Sequence, residues 1–149
     1  MSTEANKALV RRYNDEVWSR GNLAVVDETI GDDFLWGGDH VTREGVKEFV
    51  AMIRVIFPDF QATIEDMIAE GDKVAVRMTH RGTHRGEWKD SPVGPLPPTG
   101  MQVAYTGMVV YRIANNKIVE DMAELDMLSL LQQLSAIPTP GQASQAVGA

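Results

Sequence analysis

The sequence predicts an α+β domain, and three observations carry that reading. Up to Phe57, apolar residues recur mainly at helical spacing. From Phe60 onward the period changes to two. The resulting order is helix, helix, strand, helix and then four strands, which segregates helices from a run of antiparallel strands. A strongly curved antiparallel sheet wrapped around three N-terminal helices, with a short C-terminal helix, makes a cone whose inner end is a natural small-molecule pocket.

Each element follows from local pattern. Leu9, Val10, Tyr13, Val17 and Trp18 share one face of a first helix, capped by Ser2 or Thr3 and stopped at Gly21. A second, short helix after Asn22 turns Val25, Val26 and Ile30 inward, with Gly31 behind it. Phe34 to Trp36 is a short strand running into a glycine turn. Thr42 caps a third helix whose apolar face is Val46, Phe49, Val50, Ile53, Ile56 and Phe57, and Pro58 ends it.

The second half alternates. Phe60, Ala62, Ile64, Met67 and Ile68 form a strand with one slip in the pattern, the signature of a bulge. "EGD" at 70–72 is a turn, and the strand after it, Lys73 to Arg81, alternates Val74, Val76 and Met78 with Ala75, Arg77 and Thr79. "DSPVGPLPPTG" at 90–100 is a loop. Met101 to Ile113 is a long strand, Asn115-Asn116 a tight turn tolerant of positive φ, and Lys117 to Leu125 the partner strand. Met127 to Leu134 is the terminal helix. Residues 1–137 form one domain, and 138–149 are expected to be a flexible tail.

Composition narrows the function. A chain of 149 residues buries roughly two-thirds of its unfolded surface, enough for one core and a cavity. The formal charge of −7 disfavours nucleic acid and anionic membranes as partners. No apolar run is long enough to span a bilayer. There is no cysteine, which rules out a disulfide framework and a thiol nucleophile and fits a reducing, cytoplasmic setting. "MSTEANKALVRRYNDEVW" carries charge throughout and lacks the apolar core of a signal peptide.

"TREGVKEFVAMIRVIFPDF", "VAVRMTHRGTHRGE", "PPTGMQV" and "YRIANNKIVEDMAELDMLSLLQQLSAIP" resemble, in that order, the SnoaL-like polyketide cyclases and predicted ester cyclases of the NTF2-like superfamily. The resemblance covers about Leu9 to Pro138. It implies a cone-shaped α+β fold, a homodimer formed through the sheet face, and cofactor-free acid/base chemistry. In those cyclases an aspartate near the last strand drives an intramolecular aldol closure, and by position Asp126 matches it. The common Glu-His-Trp before that aspartate reads Glu120-Asp121-Met122 here, which implies an altered pocket floor.

The residues themselves leave alternatives open. Asp126 is placed either as the acid/base or as the N-cap of the terminal helix, accepting from Leu128 or Ser129. These roles oppose one another, because capping lowers a carboxyl pKa and burial raises it. Glu124 shares a strand face with Met122 and Asp126, either lining the cavity or sitting on a solvated edge. Arg77 lies between valines and Met78. It is read either as a buried group paired with Glu124 or Asp126 that polarises a carbonyl, or as part of an exposed face.

Arg77-x-Thr79 lacks the second acid of the limonene-epoxide hydrolase set, which disfavours epoxide hydrolysis by that route. His80-x-x-x-His84 has metal-pair spacing, but Gly82 and strand geometry break the helical face such a pair needs, so no metal is expected. His84 is a candidate pocket-mouth hydrogen-bonding group or a solvated hairpin residue. Trp36, Met78, Trp88, Tyr105 and Met122 are the expected pocket walls, with "SPVGPLPPTG" as the cover.

The leading expectation is an enzyme acting on a small hydrophobic carbonyl compound, with Asp126 as acid/base, Glu124 and Arg77 tuning charge, and His84 assisting. The alternatives are a non-catalytic binding or dimerisation module of the same fold, and an isomerase or hydratase.

Overall fold

The computed structural model describes residues 2–139. Most of the expected tail, from residue 140 on, lies outside the described residues. Helix α1 (Thr3–Arg12) starts where the Ser2 hydroxyl accepts the Ala5 amide at 3.0 Å. It continues directly into a π-helical segment, Tyr13–Ser19, in place of the plain helix that the spacing predicts. Then follow α2 (Ala24–Thr29), β1 (Ile30–Trp36), β2 (Asp39–Val41) and α3 (Arg43–Ile56). Thr42 caps α3 as expected, its hydroxyl accepting the Gly45 amide at 3.0 Å. The rest is β3 (Gln61–Glu70), β4 (Lys73–Thr83), β5 (Gln102–Ala114), β6 (Lys117–Leu125) and α4 (Met127–Gln133).

The six strands form one curved, unclosed sheet in the order β2-β1-β6-β5-β4-β3. Only the β1–β6 pairing is parallel. That pairing corrects the expected second helix. Ile30 and Gly31 belong to a strand, with Ile30 opposite Ile118, and a side chain at Gly31 would crowd Val119. Strand β2, unanticipated from sequence, folds back on β1 through Gly37 and Gly38, both at positive φ. The predicted bulge in β3 is present, where the register slips between Ile64 and Asp66. Asn115 and Asn116 both adopt positive φ, 51° and 60°, as the hairpin turn requires.

Helices pack into the concave face of the sheet. Along β5 the inward residues Val103, Tyr105, Val109, Tyr111 and Ile113 are buried, while Met108 and Val110 between them are exposed. Arg54 of α3 holds the helical layer together. Its Nη1 donates to the carbonyls of Trp18 (2.8 Å), Ser19 (3.2 Å) and Phe60 (3.1 Å), satisfying oxygens left open where the π-helical segment ends and β3 begins. Val10, Tyr13, Val17, Val46, Val50 and Ile56 fill the layer between helices and sheet. The wider end of the cone is left hollow.

Candidate active site

A cavity of about 670 Å³ occupies that end, within the range of small-molecule sites. All three tryptophans of the chain, Trp18, Trp36 and Trp88, line it, together with Phe49, Phe60, Tyr105 and Met78. The rings meet edge-on or tilted: Trp36 lies 5.0 Å from Phe49, and Trp18 lies 5.8 Å from Phe60, centroid to centroid. Trp88, Asp90 and Pro92, from the segment after β4, close one side. The wall is mostly carbon, so any polar group that reaches it stands out.

Asp121 is that group. On β6, Asp121, Ala123 and Leu125 share the inward face and line the cavity. The Asp121 carboxyl is 6% exposed, and its Oδ1 accepts no hydrogen bond. Burial without a compensating partner pushes its pKa up to about 7. Tyr111 stands directly opposite it on β5. The Tyr111 hydroxyl accepts from Asn14 Nδ2 at 3.1 Å, and its pKa is driven well above the usual phenol value by burial, then by the Asp121 charge.

His80, on β4, is another polar residue of the wall. Its ring sits edge-on between Phe60 (5.2 Å) and Tyr105 (5.1 Å), and Nε2 contacts the Met78 sulfur at 2.8 Å. Nδ1 has no partner. Burial lowers the His80 pKa to about 4, so the imidazole is neutral near pH 7. Among the described residues no group of three or more potential metal-ligating side chains occurs.

The sequence matches the model of the SnoaL-like polyketide cyclases over residues 8–134. The chain belongs to the SnoaL-like polyketide cyclase family. Solved structures agree with that assignment. A proposed polyketide cyclase from Acidithiobacillus ferrooxidans is 28% identical, with a TM-score of 0.78 over 93% of this chain and 100% of that one. IdmH from Streptomyces antibioticus, also a proposed polyketide cyclase, is 27% identical, with a TM-score of 0.75 over 87% and 98%. TsrD from Streptomyces laurentii, at 19% identity, shares the fold with a TM-score of 0.81 over 92% and 99%. No curated protein matches the chain. Family and fold together point to cyclase-type function.

Within this SnoaL-like cone, several residues picked from sequence fall outside the cavity. Asp126 is the N-cap of α4. It is exposed, its Oδ1 accepts the Ser129 amide at 3.0 Å, and it does not line the cavity. Glu124 is exposed on the convex face, opposite Met108. Arg77 lies on that face too, and its Nη2 pairs with Asp66 at 2.9 Å rather than with Glu124 or Asp126. Met122, expected in the pocket floor, is 49% exposed on the convex side. The reason is parity. Asp121, Ala123 and Leu125 point inward, so Glu120, Met122 and Glu124 point out. Trp36, Met78, Trp88 and Tyr105 do line the cavity.

His84 is buried, but it faces α3 and the proline-rich loop rather than the cavity. Its ring lies 5.6 Å from that of Phe57. Its Nδ1 is 3.0 Å from Thr99 Oγ1 and accepts the Thr99 amide at 3.3 Å, while Gly100 N–H donates to the His84 carbonyl at 2.7 Å. Thr83 donates twice to Asp59, through its amide and its hydroxyl, at 2.7 Å each. A side chain at Gly86 would collide with the Val55 carbonyl at the end of α3. The G-T-H-x-G and P-T-G motifs thus clamp one another and α3, and so hold the segment that carries Trp88, Asp90 and Pro92.

Proposed function

We propose that the cavity takes a hydrophobic, carbonyl-bearing small molecule and that Asp121 is its general acid/base. The observation that supports this is a buried carboxyl, that of Asp121, whose Oδ1 has no hydrogen-bond partner in a mainly aromatic cavity. A base that works near neutrality needs a pKa near the working pH, and burial supplies it here.

The ionised Asp121 removes a proton from a carbon flanked by carbonyls. The enolate carbon so formed attacks a second carbonyl of the same molecule and closes a ring. The protonated Asp121 then returns its proton to the new alkoxide. The product is an isomer of the substrate, and the cycle consumes no oxidant, reductant or water. The aromatic walls exclude water that would quench the enolate.

The test is proton exchange in D₂O across a panel of aromatic 1,3-dicarbonyl compounds, followed by mass spectrometry. The wild type is expected to speed deuterium incorporation at the activated carbon and to yield an isomeric cyclised product from at least one member. Equal exchange by wild type and Asp121→Asn on every member would contradict the assignment.

A second copy of the chain is the partner this reading includes. On the convex face Ile68, Ala75, Val110 and Met122 stand in one row across four strands, with Met108 beside them between Arg77 and Glu124. Ile68, Met108, Val110 and Met122 are exposed, a patch that favours burial against another copy.

A further inference from the structure

The π-helical segment has a consequence at the cavity. Asn14 lies in its first turn and is buried. Its Nδ2 donates both to the Val10 carbonyl and to the Tyr111 hydroxyl, at 3.1 Å each. A backbone carbonyl can only accept, so the amide nitrogen must face Val10, and both of its protons are then used. The Tyr111 oxygen therefore receives a hydrogen bond and does not give one to Asn14. Among the described residues no acceptor takes the Tyr111 proton. Tyr111 lines the cavity and pairs across the sheet with Asp121, whose Oδ1 is likewise unmatched. Two complementary groups face one end of the cavity without bonding to each other.

We propose that Tyr111 is a catalytic hydrogen-bond donor to the substrate oxygen on which negative charge develops, and that Asn14 is a positioning residue that holds the hydroxyl in donor orientation. The inference rests on Asp121 being the acid/base. When Asp121 takes the proton, the C–H electron pair becomes the enolate C=C bond and the carbonyl π pair moves onto oxygen. Tyr111 donates a hydrogen bond to that oxygen and keeps its own proton. As the enolate carbon attacks, the first carbonyl reforms, the charge passes to the new alkoxide, and Asp121 supplies its proton. A preorganised donor in a water-poor site stabilises such charge far more than one in water.

Enolate mimicry tests this without knowledge of the substrate. The probe is 6-cyano-2-naphthol, whose ionised form has its own emission, with its methyl ether as control. Asp121→Asn stands in for the protonated acid that accompanies the enolate. In that variant the naphthol is expected to bind at least about tenfold tighter than the ether and to be bound ionised, the net value of one charge-assisted hydrogen bond. Adding Tyr111→Phe should abolish both the preference and the ionisation. Adding Asn14→Leu, which keeps the Tyr111 ring, should reduce them. Retention of preference and ionised fraction in both double variants overturns the proposal, as does failure of the Asp121→Asn protein to bind the naphthol. Wild type binding the naphtholate as well as Asp121→Asn does would instead count against Asp121 as the acid, whatever Tyr111 does.

Discussion

Tyr111 and Asp121 are a directly opposed pair on β5 and β6, and both lie on the concave face of the sheet and line the cavity. Among the described residues no basic side chain pairs with either, and the Asp121 charge raises the Tyr111 pKa. At neutral pH the pair therefore holds at most one negative charge, and that charge moves on and off Asp121.

Asp121→Asn keeps the shape of the wall and removes the transferable proton. Turnover on any substrate found by the D₂O screen is expected to fall about 10²- to 10⁴-fold. Asp126→Ala should leave turnover within about twofold and cost about 1 kcal/mol of stability, the value of one helix cap. Paired kinetics and urea melts on the two variants check both outcomes.

Stability should respond to pH through two opposing groups. Asp121 rises from 3.8 to about 7 on folding, so the folded state holds its proton more tightly. Its contribution therefore falls as pH climbs through that window and is flat above it. His80 drops from 6.5 to about 4, so the unfolded state binds the proton more tightly, and its contribution rises across nearly the same window. The wild-type curve is expected to be shallow. Asp121→Asn should be the more stable protein at pH 8, by an upper limit on the order of 4 kcal/mol, and its stability should climb from pH 4 to 6.5. His80→Phe should show the reverse slope. Urea midpoints from pH 4 to 8 measure all three.

His84→Ala should unfasten the proline-rich loop. The substitution deletes a buried ring against Phe57 and the acceptor of the Thr99 amide. A loss of roughly 2–4 kcal/mol is expected from the cavity and the lost bond, with faster proteolysis inside residues 90–100. Limited proteolysis at equal folded fraction separates loop release from global unfolding.

Val110→Lys places a charge in the middle of the convex apolar row. Sedimentation velocity is expected to show a dimer for wild type and a monomer for the variant, with the fold unchanged. A monomeric wild type would remove the second copy as partner.

Much of this fold was legible because its signals are local. Helix caps at Ser2 and Thr42, the Asn115-Asn116 turn and the slip in β3 each follow from a few neighbouring residues. The parallel pairing of β1 was not, because Ile30 reads as a helix residue until Ile118, far away in sequence, stands beside it. Nor was the π-helical segment, since Tyr13, Asn14 and Val17 fit an ordinary helix spacing well enough.

The site was half legible. The aromatic walls followed from residue type, but the acids picked from sequence, Glu124 and Asp126, do not line the cavity, whereas Asp121 does. The signal was present: on one parity Asp121 shares a face with Ala123 and Leu125, on the other Glu120, Met122 and Glu124 form a mainly acidic, solvated set. A single acid on an otherwise apolar face is the odd residue that burial acts on. His84 misled for a different reason. The motif containing it is a structural clamp, so its regularity spoke of loop anchoring rather than of chemistry.

The most direct measurement is a ¹³C NMR titration of the aspartate side-chain carboxyl carbons, with Asp121 assigned by loss of its signal in Asp121→Asn. A single aspartate with its midpoint close to 7 is the predicted result. An Asp121 signal that titrates with the ordinary carboxylates near 4 would contradict a buried acid poised for proton transfer.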